Sequence, residues 1–234
     1  MALKPVDFVA ILALPSFRMP LLPTAWKVAV PFSGIDAVGA AIEKRKLLAQ
    51  VVNHVEKNAR LLEYLRGVTG NPQLQATDAL LMQLSDLVPS NVLFTGPPCE
   101  PWAAGGGHAG WDHCLADCMR RTIGMAAELD AKGELLVVCI ENSPCLAEPK
   151  NFRILQALWL SRMGHKWLPL RPVFRSGITS GVRMLRNRAF FMSWPYMVAN
   201  AVDNDGNQVP LPSFEFKKPM KPIESILELS LIHI

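Results

Sequence analysis

Apolar residues along this chain fall into short unbroken blocks separated by segments in which they recur every three or four positions. Trp26 to Phe32 (WKVAVPF) is a compact apolar run closed by Ser33-Gly34, which predicts a buried strand feeding a turn. Val38, Ala41 and Ile42 then recur at helical spacing within a predicted helix from Ala37 to Arg45. Leu47 to Val52 reads as a second strand, and Lys57 to Arg66 as a second helix with Gly67 just beyond its end. Gly70-Asn71-Pro72 marks a turn, and Leu80 to Leu87 predicts a short helix. Asn91 to Thr95 (NVLFT) is another buried strand, running directly into Gly96-Pro97-Pro98-Cys99. A helix is expected from Cys114 to Asp130, stopped by Lys132-Gly133. Glu134 to Ile140 (ELLVVCI) is the clearest strand, ending at Glu141-Asn142; a helix over 151–163 and a late strand from Ala189 to Trp194 follow.

Strands alternating with helices predict an α/β fold, a doubly wound and mostly parallel sheet covered on both faces. In such sheets ligands bind beyond the carboxyl ends of the strands, and the most chemical segments here all follow strand ends. Residues 1–25 are rich in proline and aliphatics without a period and read as an irregular arm. Residues 26–200 form the expected main domain, and 201–234 a loosely organised tail.

Composition narrows the class. With 234 residues, half of them apolar, the chain can bury one sizeable core and is not of disordered type. No apolar run approaches the ~18 residues of a membrane span, and Phe8 to Leu14 is too short for a typical signal-peptide core. Five scattered cysteines suit a reducing compartment better than a disulfide framework. The expected location is therefore intracellular. Cys114 and Cys118 with His108 or His113 invite a zinc reading, but no second paired cluster completes a ligand set, so no metal is expected. The net charge is only +4, yet from Pro149 to Val202 there is no Asp or Glu and there are nine Lys or Arg. Such a stretch attracts a polyanion, although a solvated basic face has the same composition.

The candidate chemistry lies at three strand ends. Two prolines ahead of Cys99 stiffen the backbone and hold the thiol on a fixed loop, which a nucleophile benefits from and a core cysteine does not need. Glu141-Asn142-Ser143-Pro144 follows a strand expected to lie beside the first, so a carboxyl there can reach the same pocket; a turn or cap is its plainer reading. Arg186-Asn187-Arg188 precedes an apolar strand and would aim two guanidiniums along one face of it.

Together these segments resemble the DNA cytosine-C5 methyltransferase family. The family's nucleophile loop, Gly-Pro-Pro-Cys-Gln-Pro-Phe, stands here as GPPCEPW from Gly96 to Trp102. Its Glu-Asn-Val is matched by Glu141-Asn142-Ser143, and its Gln-x-Arg-x-Arg by Met184 to Arg188 with the first position changed. Its cofactor loop, Phe-x-Gly-x-Gly, appears as Phe32-Ser33-Gly34-Ile35-Asp36. Asp78 sits where the family has a short acidic motif, and Gly106 to Asp112 resembles its mobile loop after the cysteine. Order and spacing agree across roughly residues 27–195.

The resemblance implies an S-adenosylmethionine-dependent transferase acting on DNA. Cys99 would be the nucleophile, Glu141 would engage the cytosine ring, Arg188 would hold the base oxygen and Arg186 would support the site. Phe32, Ser33 and Gly34 would border the methionine part of S-adenosylmethionine, Asp78 would accept from the adenine amine, and Pro98 would line the same pocket. Several positions depart from the pattern. Asp36 replaces the second glycine of the cofactor loop, Glu100 replaces the glutamine after the nucleophile, and the ribose-binding glutamate aligns with His54, with Glu56 two residues on. After Arg188 no segment matches the family's target-recognition region or its final conserved segment, which suits a fragment or a minimal homologue. Three functions stay open: a DNA cytosine-C5 methyltransferase, a tRNA methyltransferase of the same fold, and an inactive module that binds nucleic acid.

Overall fold

The computed structural model describes residues 26–34, 38–39, 42–43, 46–69, 74–176 and 187–195. Strands β1 (Trp26–Pro31), β2 (Ala49–Glu56), β3 (Leu74–Ala76), β4 (Val92–Thr95), β5 (Val137–Asn142), β6 (Arg171–Ser176) and β7 (Asn187–Ser193) form one sheet. Their order is β3-β2-β1-β4-β5-β7-β6. The pairs among β1 to β5 are parallel, whereas β7 runs antiparallel to both β5 and β6. The expected α/β, doubly wound and mostly parallel sheet is thus present, with an antiparallel edge.

Alternation along the strands sends side chains into two layers. Val28, Val30 and Val51 point to one face and pack with Val38 and Ile42 of the helical turns after β1. Ala29, Leu93, Val138 and Ile140 point to the other, where helices α2 (Ala116–Ala131) and α3 (Pro149–Met163) bury Met119, Ile123, Leu155 and Trp159 against them. Helix α1 (Ala59–Thr69) follows β2 and contributes the buried Leu62. The strand order reverses between β1 and β4, which opens a crevice at their carboxyl ends, where the candidate residues gather.

Several expected elements shift. The second strand runs to Glu56 rather than stopping at Val52. It carries a buried Asn53 whose amide nitrogen donates to the Val88 carbonyl and the Ser90 hydroxyl, while its oxygen accepts from the Val88 N–H. Leu80 to Leu87 is not an α-helix; only a 3-10 turn at Leu84–Asp86 forms. Asp78 and Asp86 accept from the backbone N–H groups of Leu80 and Gln83, and such local bonds compete with a helical ladder. Glu141 and Asn142 lie inside β5 rather than beyond it. Strand β3 is too short to show a period, and β6 contains Pro172, tolerated because β6 is an edge strand. The expected arm over 1–25 and the tail over 201–234 lie outside the described residues. Among the described residues no helix is long and apolar enough to cross a membrane.

Candidate active site

Strands β4 and β5 are parallel neighbours with Thr95 opposite Ile140, so their exits lie side by side. The loop leaving β4 is Gly96-Pro97-Pro98-Cys99, and the two strand exits are tied together at both ends of it. Asn142 Nδ2 donates to the Pro97 carbonyl at 3.1 Å. Ser143 Oγ donates to the Trp102 carbonyl at 3.3 Å, across the 3-10 turn Glu100–Trp102 that begins right after Cys99. The Trp102 N–H in turn donates to the Cys99 carbonyl at 3.0 Å. Gly96 allows close approach: a Cβ there would stand 3.0 Å from Glu141 Oε2. These contacts fix the thiol beside the carboxyl of Glu141.

Arg188 completes the group. In the β5–β7 ladder Glu141 faces Phe190, so Arg188, two residues earlier, lies diagonally across on the same face. Its Nε forms a short ion pair with Glu141 Oε1, and both side chains are largely buried. Burial pushes the Glu141 carboxyl above the usual carboxylate range, against the pull of the Arg188 guanidinium. Burial likewise raises the Cys99 thiol; Arg188 draws it back down, and the carboxylates of Glu100 and Glu141 push it further up. Cys99, Glu141 and Arg188 are therefore one electrostatic unit. Arg186 lies outside the described residues.

A second cluster forms at the exits of β1, β2 and β3. Phe32 and Gly34 both take left-handed backbone angles, φ 58° and 54°, which turn the chain sharply after β1. Ser33 donates from its N–H and its hydroxyl to the Val55 carbonyl, both at 3.0 Å. The Gly34 N–H donates to Glu56 Oε2 at 2.9 Å. Glu56, the last residue of β2, therefore stands in the crevice beside the Phe32-Ser33-Gly34 turn. His54, the position aligned with the family's ribose-binding glutamate, is instead wholly buried within β2, where burial lowers it to about 4. Asp78 follows β3; one oxygen caps the Leu80 N–H at 3.0 Å and the other pairs with Lys57 Nζ at 3.6 Å. Pro98 is half-buried in the nucleophile loop. Asp36 lies outside the described residues.

The glycine-rich loop after Cys99 is held at both ends. The Trp102 and Trp111 rings meet edge to face at 5.2 Å, and the Trp111 indole N–H donates to the Asn151 carbonyl of α3 at 3.1 Å. Arg120 stacks over the Trp111 ring and donates to its carbonyl. Between these anchors, Ala104, Gly105, Gly107, His108 and Ala109 are exposed. Gly106 is the tightest point: a Cβ there would overlap the Glu100 carbonyl oxygen at 1.8 Å. Of the zinc candidates, Cys118 is buried in α2 and His113 Nδ1 accepts from the Leu115 N–H. Among the described residues no group of three or more His, Cys, Asp or Glu converges to hold a metal.

The fold has counterparts among solved structures. A putative DNA modification methyltransferase from an Escherichia coli prophage superposes with a TM-score of 0.60 and 16% identity, over 81% of this chain and 52% of that one. Entamoeba histolytica methyltransferase EhMeth superposes with a TM-score of 0.59 and 15% identity, over 80% and 57%. A mutant of Spodoptera frugiperda DNMT2 gives 0.56 and 16%, over 73% and 50%. The chain has the fold of these methyltransferases. It spans about half the length of the structures it matches. No protein-family model and no curated protein sequence matches it.

Proposed function

We propose that this chain carries the catalytic core of a DNA cytosine-C5 methyltransferase, transferring a methyl group from S-adenosylmethionine to cytosine through a covalent Cys99 adduct. The observation that carries this reading is the joining of Cys99, Glu141 and Arg188 into one partly buried unit at adjacent strand exits. A thiol and a carboxyl beside an arginine suit a ring that must be attacked at one atom and held at two others.

The target carbon is inaccessible in a stacked duplex, so the base is read as flipped into the site. The Cys99 thiolate adds to C6, and the electron pair of the C5–C6 double bond moves into the ring, making C5 nucleophilic. Glu141 would engage N3 and the exocyclic amine, stabilising the charge that develops as the thiolate adds, and burial, which raises its carboxyl, eases sharing of a proton with N3. Arg188 would hold the base oxygen, and its charge, which draws the Cys99 thiol down, would steady the thiolate. After transfer, a water molecule takes the C5 proton, the C5–C6 double bond re-forms, and the C–S bond breaks to release the Cys99 thiolate.

S-adenosylmethionine supplies the electrophilic methyl group. The residues at the exits of β1 to β3 fit it. Glu56 offers a carboxylate for two vicinal hydroxyls at the strand end, replacing the role the motif spacing gives to His54. Asp78 reaches an amine by exchanging its contact with Lys57, and Phe32 to Gly34 with Pro98 border the rest.

The test is transfer of labelled methyl from S-adenosylmethionine to mixed DNA and, separately, to tRNA, with Cys99→Ala alongside. Label on DNA that is lost in the variant supports the reading. Label on tRNA alone moves the substrate to RNA, and no label from folded protein leaves a nucleic-acid-binding module.

A further inference from the structure

Helix α3 has one outer face that no described element covers. Lys150, Arg153, Ile154, Ala157, Leu160 and Ser161 are all exposed on it, spaced as a single stripe. At the end of α3 nearer the active site the stripe is basic. Neither Lys150 nor Arg153 forms an ion pair with any described residue, and α3 contains no acidic residue. Glu148, which precedes the helix, and Asp112, next to Trp111, are themselves exposed.

This end of α3 is joined to the nucleophile loop through packed contacts. Asn151 takes the Trp111 indole N–H on its carbonyl and donates its own side-chain nitrogen to the Cys145 carbonyl at 3.1 Å. A Cβ at Gly110 would meet Asn151 Oδ1 at 3.1 Å. The loop that starts at Cys99 therefore lands on the first turn of α3, beside Lys150 and Arg153.

We propose that Lys150 and Arg153 grip the phosphate backbone of the DNA strand flanking the cytosine bound at Cys99. The proposal rests on the methyltransferase reading and adds a phosphate-binding face to it. Two unpaired cations one helical turn apart complement a polyanion, and their contribution is independent of base sequence. Arg162 lies at the far end of the same helix and serves as the internal control.

The experiment measures binding of the full chain to a short mixed-sequence DNA duplex over a range of salt concentrations, for wild type, K150Q/R153Q and R162Q. Losing two phosphate contacts lowers the slope of log K against log salt by about 1.8 in magnitude and weakens low-salt binding at least tenfold. R162Q is expected to match wild type, and the affinity for S-adenosylmethionine to stay the same in all three. An unchanged slope in K150Q/R153Q, with wild type binding normally, overturns the proposal while leaving the methyltransferase reading intact. An equal loss in R162Q overturns it as well, since the effect is then overall charge. Binding of wild type to tRNA but not to the duplex replaces the proposed occupant, and no binding to either removes both the proposal and the reading beneath it.

Discussion

The two halves of the crevice are built differently. On the base side, Cys99, Glu141 and Arg188 are locked to one another, and hydrogen bonds from Asn142 and Ser143 hold the nucleophile loop at both ends. On the cofactor side, the polar groups are occupied by local contacts that a ligand would have to replace: Glu56 by the Gly34 and Asn58 N–H groups, Asp78 by Lys57 and the Leu80 N–H. Preorganised groups cost little reorganisation when a charge develops near them, whereas groups already engaged bind by exchange. On the proposed reading, the Cys99 side thus suits a charge developing beside it and the Glu56 side suits a ligand bound by exchange.

The largest break in this contrast comes from Arg188→Leu. It leaves the Glu141 carboxyl buried without its partner, and removing one member of a largely buried pair costs about 3 kcal/mol or more. It also removes the cation that draws the Cys99 thiol downward, so residual methyl transfer is expected only at more alkaline pH. Denaturant unfolding and a pH–rate profile check both parts. Wild-type stability with full activity at neutral pH would show that the three residues do not act as a unit.

A smaller effect separates Glu56 from His54 on the cofactor side. Glu56→Ala is expected to weaken S-adenosylmethionine binding about ten- to a hundredfold, the range for deleting a charged hydrogen-bonding partner, as read by calorimetry. His54→Gln is expected to leave that affinity unchanged and to act on stability instead. The His54 ring is held at about 4 against an ordinary 6.5, so the unfolded chain binds the extra proton first as pH falls. Its contribution is complete above pH 6.5 and is lost between 6.5 and about 4, at most about 3.5 kcal/mol at about 1.4 kcal/mol per unit. Unfolding midpoints across that window should flatten in His54→Gln. Loss of cofactor affinity in His54→Gln, with Glu56→Ala unaffected, would reverse the assignment.

The same contrast governs what the sequence discloses. Cys99, Glu141 and Arg188 are legible because each stands at or near an abrupt end of an apolar strand, and strand ends are where ligands meet such a sheet. Glu56 is harder to place because Asn53 and His54 look like the polar close of a strand that in fact continues beneath them, satisfied by Val88 and Ser90 in the case of Asn53. An irregularity in the β1–β2 register between Val28 and Ala29 further displaces β2 against its neighbour. The anchoring of the glycine-rich loop on Asn151 depends on a contact between residues 40 apart, which no local pattern reports.

The smallest expected effect falls on the boundary between the two sides. Glu100 replaces the family's glutamine and adds a carboxylate next to the nucleophile. Among the influences on Cys99, burial is the largest, Arg188 opposes it, and Glu100 adds to it. On the proposed mechanism the thiolate is the reacting form, so methyl transfer is expected to fall as pH drops below the thiol pKa. Glu100→Gln removes one upward push, and the acid limb of the pH–rate profile should move to lower pH. Because Glu100 is exposed, its charge is screened by salt, and the displacement should shrink as ionic strength rises. Burial and Arg188 are much less screened, so the profile of Glu100→Gln itself should depend little on salt. A limb that does not move at low ionic strength would mean that burial and Arg188 alone set the nucleophile's readiness, with the charge at position 100 lost to solvent.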